Sequence, residues 1–129
     1  MMRGQGMLAT GTPGLRYVHR DGTDMYDYHG GALTRDGAFH TLNLSSIVPA
    51  NAKLVHLEAG GHGASIGHEF IVKKTGQLYA VAASWLVTLN IYVDNTKEMI
   101  VDCTGQHVDY EAASGVWGNL YLNVLGWFI

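Results

Sequence analysis

Seven histidines, one cysteine and a scatter of carboxylates are the residues in this 129-residue chain that can do chemistry. A metal centre needs three or four such side chains converging on one ion. His62 and His68 flank a glycine-rich loop, and Glu69 follows directly. In an extended chain successive side chains point to opposite faces, so His68 and Glu69 do not share an ion easily. His56, His68 and His107 are far apart in the chain, and no HExxH spacing is present. A single Cys103 builds neither an intrachain disulfide nor a thiolate zinc site, and it reads as a small buried hydrophobe. The histidines therefore read as surface or interface residues with polar neighbours. No metal and no cofactor is expected.

Other chemistries find equally little. Ser45-Ser46 lies in a turn, outside any GxSxG elbow, with no particular histidine marked as its base. Asp109 and Glu111 share one face of an extended segment, which suits a solvated sheet face better than two carboxylates opposed across a cleft. The run GGHGASIG lacks the lysine and the following helix of a phosphate loop. No catalytic residue is expected. Seven tyrosines (Tyr17, Tyr26, Tyr28, Tyr79, Tyr92, Tyr110 and Tyr121) and three tryptophans supply ring surfaces suited to sugar stacking, although no sugar site is singled out.

Composition narrows the classes. Hydrophobic residues make up 47% and charged residues 15%, which excludes a disordered chain. The net charge is −3 and the eight Lys+Arg are dispersed, so a nucleic-acid surface is not expected. No apolar run approaches the ~20 residues that span a bilayer. The first residues, MMRGQGMLATGTPG, lack the apolar core of a secretory signal, so a soluble protein made in a cytoplasm is expected.

The elements that must position these side chains read as strands. Phe39–Ala59 alternates on both sides of a turn at Pro49, with Leu42 and Leu44 on one face before it and Val55 and Leu57 on one face after it. Pro49 has no amide donor and cannot sit inside a helix or a central strand. Further strands are expected at Leu15–His19, Met25–His29, Ser65–Lys73, Leu78–Ala83, Trp85–Val93, Met99–Cys103, Gln106–Glu111 and Trp117–Ile129. Asp-Gly and Thr-Gly pairs mark the turns, Asp94-Asn95-Thr96 is expected to turn the chain, and Gly60–Gly63 reads as a flexible loop. The last strand is so apolar that it must lie within a sheet or a subunit interface. About eight to ten strands at such spacing predict an all-β fold, an antiparallel, jelly-roll-like β-sandwich over residues 15–129. Residues 1–14 are expected to form a short extended N-terminal arm.

FHTLNLSSIVPANAKLVHLEA, followed by VDYEAASGVWGNLYL and the closing LYLNVLGWF, resembles small β-sandwich modules of tailed-bacteriophage virion proteins. The resemblance covers residues 33–129. It implies either the C-terminal domain of a tail fibre or spike, or a capsid decoration (cement) protein. Residues 1–32 contain no fibre shaft, which favours decoration: a homotrimer on the capsid exterior, contacting the major capsid protein. The expected contact residues are Met7, Leu8, Leu15, Tyr17, Tyr26, Tyr28, Trp127 and Phe128. The second expectation is a tail-associated receptor or carbohydrate binder with a host-surface glycan as partner. The third is a small cupin-like metalloenzyme that would use several of the histidines.

Overall fold

The computed structural model describes residues 14–22, 26–78, 84–88 and 93–129. The arm, with Met7 and Leu8, lies outside the described residues, as do most of the strand expected at Leu78–Ala83 and the far half of the one expected at Trp85–Val93.

Among the described residues there are nine strands: β1 (Tyr17–His19), β2 (Tyr28–His29), β3 (Phe39–Asn43), β4 (Leu54–Gly63), β5 (Glu69–Lys74), β6 (Ser84–Val87), β7 (Asn95–Asp102), β8 (His107–Ala112) and β9 (Trp117–Phe128). One 3-10 turn, Gly30–Ala32, follows β2. The strands form two antiparallel sheets. One runs β1-β9-β4-β7, with β2 also on β9; the other runs β3-β8-β5-β6. With β2 set aside, this is the eight-stranded order of a jelly roll.

Period-two alternation sorts each strand into a core face and an outer face. On β4, Val55, Leu57 and Ala59 are fully buried while His56 and Glu58 face outward. Phe70, Val72, Val108 and Tyr110 come from the second sheet and meet Leu120, Leu122 and Val124 of β9 in one core. Each fully buried Val, Leu or Phe contributes about 1.5–3 kcal/mol, and a one-residue slip would turn the whole set outward. The register is therefore strongly held. Tyr110 is buried with its hydroxyl satisfied, accepting the Thr34 amide at 2.8 Å.

The apolar last strand lies inside a sheet, as its composition required. β9 pairs with β1 and β2 on one side and with β4 on the other. Two bulges interrupt the β9–β4 ladder, between Trp117 and Asn119 and between Val124 and Gly126.

Three local expectations are corrected. Gly60–Gly63 is the end of strand β4, not a loop. The bare backbone there is covered by side chains from β9 and its neighbours, so flexibility in the isolated segment becomes close approach in the sheet. Asn95-Thr96 opens β7 instead of turning the chain, because both residues pair with Gly61 and Gly60. The strand expected from Ser65 begins at Glu69.

Candidate functional site: the outer face of the β9–β4–β7 sheet

Three rings lie down on glycines across this face. A Cβ on Gly60 would sit 2.2 Å from Cζ of Tyr121, one on Gly126 would sit 2.3 Å from the Tyr17 hydroxyl, and one on Gly118 would sit 2.2 Å from Nε2 of His62. Only glycine permits such contacts. The face is thus lined with aromatic and imidazole rings held close to the backbone.

At one end, Tyr17, His56 and Glu98 form a hydrogen-bonded chain across β1, β4 and β7. The Tyr17 hydroxyl lies 3.0 Å from Nδ1 of His56, and Nε2 of His56 lies 2.7 Å from Oε1 of Glu98. Tyr17 also packs on Phe128 at 5.0 Å between centroids. The line resembles a nucleophile–base–acid relay in connectivity, but Glu98 is 64% exposed and the chain lies on an open sheet face. Its evident work is to tie three strands together.

At the other end, Tyr26 stands nearly perpendicular to Tyr121, with centroids 5.0 Å apart and planes at 79°. His29 packs on Tyr26 at 5.4 Å. Tyr26 has φ 67°, a left-handed conformation that side chains of its shape adopt only at a cost of about 1–2 kcal/mol. Its ring remains 39% exposed. Burial pushes the Tyr121 hydroxyl pKa up, and the negative charges of Glu58 and Asp94 push in the same direction. Asp94 holds Nδ1 of His62 at 2.5 Å.

The expected contact residues separate. Leu15, Tyr17 and Tyr26 are exposed at 54%, 39% and 39%, and Phe128 is half-buried beside Tyr17. Tyr28 and Trp127 instead pack against the core. The register explains this: Tyr28 is opposite Leu122 and Trp127 opposite Val55, both of which point inward.

The remaining reactive residues are held in structural roles. His40 meets both carboxylate oxygens of Asp36, at 2.9 and 3.0 Å. His107 Nδ1 lies 3.0 Å from the Thr75 hydroxyl. His68 packs on Trp117 at 5.1 Å, with its Nδ1 buried against Gly63. Asp109 accepts from the Thr41 hydroxyl and the Gly76 amide, so it latches β8 to its neighbours. Among the described residues, no three His, Cys, Asp or Glu side chains converge as metal ligands. No described helix is long and apolar enough to cross a membrane. Cys103 is fully buried, and desolvation, followed by the charge of Asp102, pushes its thiol up to about 11. A cleft of about 280 Å³ opens between β5, β6 and β7. Its lysines are engaged: Lys73 with the Gln77 carbonyl and the Phe39 ring, Lys74 with Asp102.

Glu58, Glu98 and Asp94 were not singled out from the sequence as site residues, and Tyr121 was named only as one of seven tyrosines suited to stacking. Alternation placed Glu58 outward, but nothing local says that β7 brings Glu98 directly opposite it. No protein-family model matches the chain, and no curated protein matches it.

Proposed function

We propose that this chain is a structural protein of a tailed-bacteriophage virion. On this reading it binds the outside of the assembled capsid as a homotrimer and stabilises the lattice. The observation that carries the reading is the exposed apolar patch where the chain enters the sandwich. Arg16 exchanges both backbone hydrogen bonds with Ile129, which fixes the start of the described residues at the edge where Leu15 and Tyr17 are exposed. Exposed apolar side chains beside the start of a Gly-rich arm suit a contact with a major capsid protein.

The fold is compatible with that role. Jelly rolls serve in viral capsids and in lectins, and the fold alone assigns neither. Binding the assembled shell in preference to its separated parts would stabilise the shell by mass action. A threefold arrangement also offers cover for sheet edges such as β3, which pairs only with β8 among the described residues.

The test is removal of residues 1–14. The truncated protein should retain its unfolding transition and lose capsid occupancy. Normal decoration by the truncated protein would refute the arm's role, and particle images placing the full chain at the tail would refute the capsid assignment.

A further inference from the structure

Beside the Tyr17–His56–Glu98 chain the outer face carries a group of carboxylates, of which Glu58 has no ionic partner among the described residues. Glu58 on β4 stands directly opposite Glu98 on β7. Like charges in directly opposed positions destabilise a sheet. Glu98 has His56 as a partner, whereas Glu58 forms no salt bridge with any described residue. Asp94, 53% exposed, adds a third carboxylate beside His62. Arg20, the nearby guanidinium on the β9 edge, is committed to Asp27.

An aromatic corner adjoins these carboxylates. Tyr121 is opposite Gly60, two residues along β4 from Glu58, which makes it the diagonal neighbour of that carboxylate, within reach of a long side chain. Tyr121 forms a floor over Gly60, and Tyr26 rises from it as an exposed wall. The backbone strain at Tyr26 is the cost of keeping that wall upright.

We propose that this corner binds a glycan bearing free amino groups. The apolar face of a pyranose ring stacks on Tyr26. Its ammonium group sits against Glu58 and gains a cation–π contribution from the tyrosine faces. Its hydroxyl groups donate to the exposed Asp94 carboxylate, which His62 orients. Two features select this ligand class: the unpaired Glu58 carboxylate repels sulfated and carboxylated sugars, and the corner is built of rings, not aliphatic side chains. Tyr121 lies about 20 Å along β9 from Phe128, away from the exposed Leu15 and Tyr17 that carry the capsid reading.

The test is calorimetric titration of the full chain with a glucosamine oligosaccharide, its N-acetylated counterpart and a lysine oligomer of the same charge. The glucosamine oligosaccharide should bind at millimolar concentration or better, and the other two at least about tenfold more weakly. Tyr26→Ala and Glu58→Gln should each weaken binding by about tenfold. Glu58→Gln should fold normally, because it removes the repulsion with Glu98. Absence of binding, equal binding of either control, or unchanged affinity in Glu58→Gln would each overturn the proposal.

Discussion

The Asp27 carboxylate accepts the Val124 amide at 2.8 Å and so does for β9 what a neighbouring strand would do. β1 covers one end of this edge of β9 and β2 the middle, and the stretch between them is closed by side chains. The Asp27 amide donates to Oδ1 of Asn123 at 2.9 Å. The Arg20 guanidinium pairs with Asp27 and donates to the Val124 carbonyl at 3.3 Å, while the Arg20 amide takes the Leu125 carbonyl. A bulge falls at this point, where regular pairing on the other side of β9 is also broken.

Asp27→Ala removes the acceptor of the Val124 amide and one ion-pair partner of Arg20, in a site where the Asp27 side chain is 5% exposed. The expected loss is about 2–4 kcal/mol. Urea unfolding should show a lower midpoint at unchanged slope. Asp27→Asn keeps an acceptor for Val124 and should cost less.

Gly60→Ala tests the packing of rings on bare backbone. The new methyl group would meet Tyr121, whose ring is held by Tyr26, so the ring must lift. Overpacking of this kind costs about 1–3 kcal/mol. Tyr121→Ala removes the obstruction, and the double variant should lose less than the sum of the two single losses in thermal unfolding.

Acid should weaken the fold through Asp36 and Asp102. The hydrogen bond from His40, then the Ala38 amide, holds Asp36 below its ordinary value of 3.8. At Asp102 burial pushes upward, but the Thr104 amide and hydroxyl with the Lys74 ammonium outweigh it and hold the group below 3.8. A carboxylate with a depressed folded-state pKa contributes stability that is complete above its unfolded value and is lost as pH falls through the folded one. The two contributions therefore disappear below pH 3.8, not between neutrality and that value. Thermal midpoints of Asp102→Asn and the parent should converge in that acid range.

Cys103 should be inert in the folded protein. It has no exposed surface, and its thiol is pushed up to about 11, so little thiolate exists near neutrality. A thiol reagent at about pH 8 should react slowly with the native chain and rapidly after denaturation. Rapid native labelling would show that the end of β7 opens.

Alternation along Phe39–Asn43, Leu54–Glu58 and His107–Glu111 already separates core from surface, because a strand's side-chain period is a property of the local backbone. The buried set of Leu42, Val55, Leu57, Val108 and Tyr110 was legible for that reason. Apolarity likewise placed Trp117–Ile129 within a sheet, since an exposed strand of that composition would be an open edge.

Strand partnership is not local, and here the chain alone was mute. Tyr17, His56 and Glu98 are joined only because β1, β4 and β7 carry them to one face, across separations of 39 and 42 residues. The glycines at Gly60–Gly63 show the same limit. Taken by themselves they signal freedom, yet their conformation is set by Tyr121, Asn119 and Leu120 arriving from β9. The repulsion between Glu58 and Glu98 exists only in the paired register. Backbone periodicity is a short-range property; the site consists of side chains that meet only when distant strands pair.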